Sequence, residues 1–259
     1  MPAHDLALLT EAARIAGTIA LRYWRQSPQV WEKPGLGPVS EADLAVNTHL
    51  RGLLREARPD YGWLSEEDPD GTARLTADHI FVLDPIDGTR AFIAGEDTFA
   101  VSLAVVAGGA PVAGVVYLPA LDRLYCATAT GPALKDGQPI AASSRAGIEG
   151  ATLLATAPNL APEHWPGGVP DLKRSFRASL AFRLCLVAEG RHDGMLMLRD
   201  AWEWDIAAGA LIAARAGATV SDRYGQPIRF NAAHPQSAGV IAAAPGLHRA
   251  MLDRLGHGG

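Results

Sequence analysis

Two aspartates three residues apart, Asp84 and Asp87, occur in the hexapeptide Asp-Pro-Ile-Asp-Gly-Thr, directly after the apolar run 80–83. Hard cations such as Mg²⁺ bind carboxylate oxygens of this kind. Gly88 lets the backbone approach a ligand, and residues 89–92 are typical of a first helical turn, whose free N–H groups attract anions. Cations beside such amides suit the hydrolysis of a phosphate ester. An ordinary surface turn is the alternative, which the full hexapeptide behind an apolar strand makes the less favoured interpretation.

Other common catalytic patterns are absent from the sequence. It contains no phosphate-binding GxxxxGK loop, no HExxH and no GxSxG, and its eight histidines lack the spacing of metal ligands. Carboxylate chemistry remains, with further candidates in Glu66, within Leu-Ser-Glu-Glu-Asp, and Asp43, three residues after Ser40. Taken locally, Asp43 is explained equally well as a helix-capping carboxylate, and Glu66 is better explained as part of a solvated acidic run.

Three motifs together resemble the inositol monophosphatase family of Mg²⁺-dependent, lithium-sensitive phosphomonoesterases, within the wider fructose-1,6-bisphosphatase-like fold. They are the hexapeptide at 84–89, the acidic pair Glu66 and Glu67, and the dipeptide Trp204-Asp205 followed by small residues. Each motif alone is weak or moderate, whereas their order and spacing along nearly the whole chain are highly specific. The resemblance therefore implies a family, a fold and a set of site residues.

The implied fold is of the α+β class, a layered αβαβα sandwich with two lobes that share one active-site cleft. A segment of small residues and turn formers at 131–150 suggests where the lobes join. We therefore predict an N-terminal lobe at 1–140, with most metal ligands, and a C-terminal lobe at 141–259, which contributes Asp205 and substrate contacts.

The resemblance implies two or three Mg²⁺ ions per active site. One ion would be held by Glu66, Asp84 and the Ile86 carbonyl, and a second by Asp84, Asp87 and Asp205. A third, weaker ion is implied near Glu66. Two ions that share a carboxylate would stabilise the attacking and leaving oxygens on opposite sides of phosphorus.

The resemblance also implies how water attacks the ester. Asp43 would pair with Thr89 to orient and deprotonate a metal-activated water, so the expected catalytic residues are Asp43, Glu66 and Thr89. The backbone amides of Gly88 and Thr89 would bind the phosphate, without a phosphoenzyme. The complete set of expected substrate contacts is Asp87, Gly88, Thr89, Arg183 and Asp205.

Within the family, the sequence is most similar to the bacterial CysQ-type 3′(2′),5′-bisphosphate nucleotidases, which act on adenosine 3′,5′-bisphosphate. The similarity lies in Leu-Ser-Glu-Glu-Asp-Pro at 64–69 and Cys-Leu-Val-Ala-Glu-Gly at 185–190. Arg183 occupies the position of a lysine that contacts substrate phosphate, and a guanidinium suits a second phosphate. Leu198 occupies the position of a glutamate with which inositol-selective members bind sugar hydroxyls. An apolar side chain cannot accept those hydrogen bonds, which weakens the case for inositol 1-phosphate.

Alternatives remain open from the sequence. The substrate could instead be inositol 1-phosphate, histidinol phosphate or a broad set of sugar phosphates, and the chain could be a non-catalytic regulator that binds metal and polyphosphate. Arg183 could be a surface helix residue. Ser179 replaces a glycine usual in the family, and Trp202 could stack on a base, although packing is the commoner role.

The elements that position these residues follow from periodicity and turn residues. Apolar spacing predicts a helix at 4–25, a loop at 33–38, and a second helix opened by Ser40. A strand at 80–83 is predicted to end at Asp84, because proline follows. Further strands are predicted at 99–107, 111–118, 123–128, 152–156, 195–198 and 239–244, and further helices at 179–189, 206–216 and 247–255.

Composition limits the classes of protein. The chain has 259 residues, of which 48% are hydrophobic, and a formal net charge of −5, which predicts a compact soluble protein without a broad basic surface for nucleic acid. Cys126 and Cys185 lie in apolar runs and predict buried free thiols of a reducing compartment. No secretory signal is visible, so we expect a cytoplasmic location.

The partners expected are small-molecule phosphomonoesters. The uncharged stretch 98–121 is long enough for a membrane span, but Gly-Gly-Ala-Pro at 108–111 favours a buried hairpin. The resemblance implies a homodimer for many family members and a monomer for some nucleotidases.

Overall fold

The computed structural model describes residues 2–33, 35 and 37–256. Pro34 and Leu36, in the predicted loop, lie outside the described residues. The six α-helices are α1 (Pro2–Tyr23), α2 (Glu41–Ala57), α3 (Thr89–Ile93), α4 (Leu180–Ala188), α5 (Glu203–Arg215) and α6 (Pro245–Arg254). Ser40 is the N-cap residue of α2, where its backbone N–H donates to Asp43 Oδ2 at 2.8 Å. The helices predicted near both ends of the chain and in its second half are present, and their bounds agree with the prediction within a few residues.

A hairpin arm precedes α2, and a sheet of seven strands follows it. The arm consists of β1 (Val30–Lys33) and β2 (Gly37–Ser40), which pair antiparallel. In this sheet the strands are neighbours in the same order as in the chain. They are β3 (Gly62–Ser65), β4 (His79–Asp87), β5 (Ala100–Ala107), β6 (Ala110–Leu118), β7 (Arg123–Thr128), β8 (Leu134–Lys135) and β9 (Gln138–Pro139). The apolar stretch 98–121 is thus a β-hairpin, as predicted. Among the described residues, no helix is both long and apolar enough to span a bilayer.

The second sheet has five strands in the order β11, β10, β12, β16, β14. Its strands are β10 (Ala151–Leu154), β11 (Leu172–Ser175), β12 (Gly194–Met197), β14 (Thr219–Ser221) and β16 (Val240–Ala243). A small pair, β13 (Ala201–Trp202) and β15 (Gln236–Ser237), lies apart from it. Along the chain, the large sheet ends at Pro139 and the five-stranded sheet begins at Ala151. The division into lobes at residue 140 stays a prediction.

The helices and sheets form five layers. Helices α1 and α2 pack on one face of the large sheet, α4 and α5 lie between the two sheets, and α6 covers the outer face of the small sheet. Strands β4 to β7 are apolar on both faces because both faces are covered. Small side chains let α5 approach the large sheet, since a Cβ on Gly114 of β6 would lie 3.0 Å from Ala208 Cα. The predicted αβαβα sandwich is confirmed.

One predicted boundary is wrong. Strand β4 does not end at Asp84 but continues through Pro85 to Asp87. Its pairing with β5 shifts there, because Asp84 lies opposite Ser102 and Asp87 opposite Ala100. The extra residue forms a β-bulge, and a bulge accommodates proline, which has no N–H for the ladder. Asp84 and Asp87 are therefore held by an ordered strand rather than by a turn beyond it.

Candidate active site

A cleft of about 1430 Å³ lies over the end of β4 and the N-terminal ends of α4 and α5. Most of the residues expected to form the site line it. They are Glu66, Asp84, Asp87, Gly88, Thr89, Arg183 and Asp205. Asp43 and Ile86 are fully buried and do not line the cleft.

Three carboxylates converge in this cleft from separate elements. Glu66 follows β3, Asp84 lies in β4, and Asp205 lies in the first turn of α5, with one ligand oxygen of each within 4.8 Å of the others. Strands β3 and β4 are parallel neighbours, which places Glu66 beside Asp84. The Ser102 hydroxyl of β5 donates to the Trp204 carbonyl at 3.1 Å and so attaches the start of α5 to the sheet. Packing of the layers therefore assembles the cluster.

The acidic cluster is electrostatically strained. Burial raises the pKa of Asp84 well above its ordinary value, and the charges of Glu66, Asp87 and Asp205 raise it further. Burial and the charges of Asp87 and Glu66 raise the pKa of Asp205 in the same way. A donor set made only of carboxylate oxygens, whose ionised forms repel one another, fits hard divalent cations. The chemistry of the cluster thus agrees with a metal site.

Asp87 makes different contacts from the three clustered carboxylates. Its Oδ2 accepts from the Ser179 hydroxyl and the Ala181 amide, both at 2.6 Å, and its Oδ1 accepts from the Leu180 amide at 3.2 Å. The carboxylate therefore caps the positive N-terminal end of α4. Burial raises the pKa of Asp87 to about 6, although these donors oppose the shift. The expected metal-binding role of Asp87 stays a prediction.

Thr89 lines the cleft, and its hydroxyl is directed toward Asp43, which lies buried behind it. The Thr89 hydroxyl lies 3.3 Å from Asp43 Oδ1 and 3.1 Å from the Ile86 carbonyl, and both are acceptors. The other oxygen of Asp43 accepts from the amide and hydroxyl of Ser40, at 2.8 and 2.5 Å. Burial raises the pKa of Asp43 to about 6, against the effect of the Ser40 donors. Asp43 is consequently both a helix cap and a partner of Thr89, and the two local interpretations are compatible.

Lys33 was not expected at the site. Its ammonium, at the end of β1, contacts Glu66 Oε1 at 2.9 Å and Glu67 Oε1 at 2.8 Å. Burial raises the pKa of Glu67 to about 7, although Lys33 opposes the shift. A single lysine in a predicted loop belongs to no motif, so no signal in the sequence pointed to it. The hairpin arm thus places a positive charge beside the acidic cluster.

Arg183 is buried in α4 rather than exposed on a helix surface, with 6% of its surface accessible. Its Nε donates to the Arg177 carbonyl at 2.5 Å and its Nη2 to the Ala178 carbonyl at 3.3 Å. Among the described residues, no carboxylate lies within ion-pair distance of Arg183. Burial lowers its pKa to about 10, although Asp87 and Asp205 act in the opposite direction. A buried cation without an ion-pair partner thus faces the cleft.

Of the remaining residues considered from the sequence, Leu198 and Trp202 line the cleft, whereas Ser179 is buried beneath it. The Trp202 ring is stacked on that of Trp204, with centroids 4.6 Å apart. The Ser179 hydroxyl accepts from the Phe182 amide at 2.9 Å and donates to Asp87. Ser179 therefore acts as the N-cap of α4, and Trp202 has a packing role on one face of its ring.

Comparisons with known proteins agree in one family. The model of the inositol monophosphatase family matches residues 2–256. An inositol-1-monophosphatase of Mesorhizobium japonicum is 32% identical, over 96% of this chain and 95% of the relative. The 3′(2′),5′-bisphosphate nucleotidase CysQ of Escherichia coli is also 32% identical, over 85% of this chain and 91% of the relative.

Solved structures have the same fold. The extragenic suppressor protein suhB from Bartonella henselae is 29% identical, with a TM-score of 0.83, over 97% of this chain and 98% of that one. An IMPase from Thermotoga maritima is 26% identical, also with a TM-score of 0.83, over 99% of this chain and 97% of that one. Both comparisons extend over nearly the whole of each chain.

Proposed function

The chain belongs to the inositol monophosphatase family of phosphomonoester hydrolases, and we propose that it is a Mg²⁺-dependent 3′(2′),5′-bisphosphate nucleotidase. Its substrate would be adenosine 3′,5′-bisphosphate, hydrolysed to AMP and phosphate. Relatives that act on inositol phosphates and on nucleotides are equally similar to this chain, so the choice of substrate rests on the residues of the cleft.

Arg183 is the observation that carries the substrate proposal. A buried guanidinium without a carboxylate partner loses hydration, and here two backbone carbonyls replace it only as neutral acceptors. It lines the same cleft as the acidic cluster, so a substrate with a second phosphate would restore the missing charge partner there. An inositol monophosphate has no such second phosphate.

Leu198 supports the same choice. It lines the cleft at the position where inositol-selective members of the family have a glutamate. Its side chain offers no acceptor for sugar hydroxyls, and a site that leaves a substrate hydroxyl unpaired discriminates against that substrate. Inositol 1-phosphate, histidinol phosphate and other sugar phosphates remain the alternative substrates.

The divalent cations would be held by Glu66, Asp84 and Asp205, with the Ile86 carbonyl and Asp87 as the further expected ligands. Bound cations would neutralise the phosphate oxygens and make water more acidic. Thr89 would orient the attacking water, while its hydroxyl donates to Asp43. Asp43 would accept the hydroxyl proton of Thr89 as that hydroxyl takes the proton of the water, because Asp43 itself is buried behind the cleft.

The backbone at the end of β4 would bind the scissile phosphate. Gly88 has a positive φ of 94° and starts α3, and both Gly88 and Thr89 line the cleft, where their amides would bind the phosphate. These neutral donors would orient the phosphate without adding side-chain charge, and Arg183 would bind the second phosphate.

Initial rates with adenosine 3′,5′-bisphosphate, inositol 1-phosphate, fructose 1,6-bisphosphate and histidinol phosphate at one Mg²⁺ concentration test the proposal. We expect the highest kcat/KM for adenosine 3′,5′-bisphosphate. Arg183→Gln should lower that value about tenfold relative to the value for inositol 1-phosphate, while Arg183→Lys should lower it less. A large preference of the unmodified enzyme for inositol 1-phosphate would overturn the substrate assignment.

The alternative of a non-catalytic binder is tested separately. Asp87→Asn should abolish phosphate release from an active enzyme, because the substitution removes a charge that faces both the cleft and the α4 terminus. A protein that only binds metal and polyphosphate would release no phosphate even before the substitution.

A further inference from the structure

Phe176 is an exposed aromatic side chain within the cleft. It lies between β11 and α4, lines the cleft, and has 45% of its surface accessible. Ligand-binding clefts are lined predominantly by apolar and aromatic side chains, so an accessible ring in a cleft is a candidate ligand contact. Nothing proposed above for the phosphates or the cations uses this residue.

The Phe176 ring rests on Arg183. The guanidinium carbon of Arg183 lies 4.5 Å from the ring centroid, a distance typical of a cation–π contact. Two backbone carbonyls hold the same guanidinium, so the support beneath the ring is rigid. Because one face of the ring is covered, its accessible area belongs to the rest of the ring.

The other aromatic rings that line the cleft are less available. Trp204 is buried, with 6% of its surface accessible. Trp204 covers one face of the Trp202 ring, with an angle of only 7° between the two ring planes. The His234 ring is tilted relative to the Trp202 ring, and their centroids are 5.6 Å apart. Among the described aromatic side chains of the cleft, Phe176 therefore has the most accessible ring.

We propose that Phe176 stacks on the planar base of a nucleoside phosphate and thereby determines the specificity of this enzyme for nucleotides. The inference rests on the proposed phosphomonoesterase function and assigns a residue to the part of the substrate that carries no phosphate. Arg183 interacts electrostatically with Asp87 and Asp205 and also supports the Phe176 ring. The base would thus lie beyond the second phosphate, on the side of the cleft away from the acidic cluster.

Binding of AMP and ribose 5-phosphate, measured by isothermal titration calorimetry, tests the proposal, because ribose 5-phosphate has an anomeric hydroxyl in place of the base. Phe176→Ala should weaken AMP binding about tenfold, the usual effect of removing one base–aromatic contact, and should change ribose 5-phosphate binding much less. Phe176→Trp should retain the affinity for AMP, while Phe176→Leu, which is apolar but not aromatic, should lose most of it. In kinetics with adenosine 3′,5′-bisphosphate, Phe176→Ala should raise KM far more than it lowers kcat.

Tyr224 supplies a matched control. Its ring is also 45% accessible and also lies against an arginine, Arg223, at 4.9 Å, but it does not line the cleft. Tyr224→Ala should leave the affinity for AMP unchanged. Equal losses of AMP and ribose 5-phosphate binding in Phe176→Ala, or full AMP affinity in Phe176→Leu, would overturn the stacking assignment.

The two proposals fail separately. If adenosine 3′,5′-bisphosphate is not hydrolysed while another phosphomonoester is, the proposed substrate is wrong. If it is hydrolysed and Phe176→Ala still binds AMP with full affinity, only the role of Phe176 is wrong.

Discussion

Thr89 has one hydroxyl proton and two acceptors within reach, Asp43 and the Ile86 carbonyl. A donor shared in this way can turn toward either acceptor at small cost, so a ligand that takes the Ile86 carbonyl would leave Asp43 as the remaining partner. Asp43 is itself held on its other oxygen by Ser40. Asp43 is thus positioned by the N-terminal end of α2, whereas Thr89 lines the cleft.

Substitutions at Thr89 test this pair. Thr89→Val keeps the shape of the side chain and removes the hydroxyl, and we expect kcat to fall about a hundredfold or more, as for loss of a positioned acid or base. Thr89→Ser, which keeps the hydroxyl, should retain most of the activity. Steady-state kinetics with matched melting curves measure both variants. Equal activity of the serine and valine variants would contradict a catalytic role for the hydroxyl.

At the scale of elements, the end of β4 is the part on which the site depends. The bulge at Pro85 keeps Asp84 and Asp87 in an ordered strand, and Gly88 then turns the chain into α3 with φ of +94°. The carboxylate of Asp87 also accepts hydrogen bonds from backbone amides at the start of α4, which fixes the position of the helix relative to the strand. The approach is close, since a Cβ on Gly88 would lie 3.2 Å from the Ser179 backbone nitrogen.

Two glycines allow this close approach to be measured. Gly88→Ala should cost about 1–2 kcal/mol for the positive φ and should further displace the start of α4 and Asp87, with a clear loss of activity. Gly217→Ala is the control, because Gly217 has φ of +95° and nothing within 4 Å of its Cβ position. Urea unfolding and phosphate release measure both effects. A loss of stability and activity no greater than that of Gly217→Ala would argue against a tight contact at Ser179.

At the scale of the whole molecule, the acidic cluster is produced by layers that come from distant parts of the chain. Glu66 and Asp84 belong to neighbouring strands of the large sheet, whereas Asp205 begins a helix packed between the two sheets. The pKa of Asp43 and that of Asp87 are each raised by burial to about 6, and the pKa values of Asp84 and Asp205 are also raised. In the folded protein without a cation, ionisation of these carboxyl groups is therefore unfavourable.

The stability of the metal-free protein should accordingly depend on pH. A carboxyl group with a raised pKa contributes stability below its unfolded pKa of about 3.9, and this contribution is lost as pH rises through the folded value near 6. We expect a melting temperature roughly 5 °C lower at pH 7.5 than at pH 5 in the presence of a chelator. Mg²⁺ should raise it more at pH 7.5, because cations bind the ionised carboxylates.

Asp205→Asn separates this effect from general acid stabilisation. The amide removes one charge from the cluster, so the metal-free variant should melt at a higher temperature than the parent at pH 7.5, while Mg²⁺ should stabilise it less. Differential scanning calorimetry with and without Mg²⁺ measures both changes. A variant that is less stable without metal, yet equally stabilised by Mg²⁺, would show that Asp205 has only a packing role.

Much of the fold could be predicted from local patterns, because periodicity and turn residues are local properties. The hairpin at 98–121 and most helices of the second half lie within a few residues of their expected bounds. The predicted end of β4 is wrong because pairing with β5 continues past Pro85, where a bulge in β4 accommodates the proline, and no local rule reports the partner strand. Buried free thiols at Cys126 and Cys185 followed correctly from their apolar neighbours.

The acidic chemistry and the family follow from short segments of the chain, since Asp84 and Asp87 are three residues apart and the motifs occur in order. Which charges face one another depends instead on how the layers pack. The contact of Lys33 with Glu66 joins segments that lie 33 residues apart and carry no local signature of proximity. Electrostatic interaction depends on distance in space and on exclusion of water, and both arise only when the layers pack.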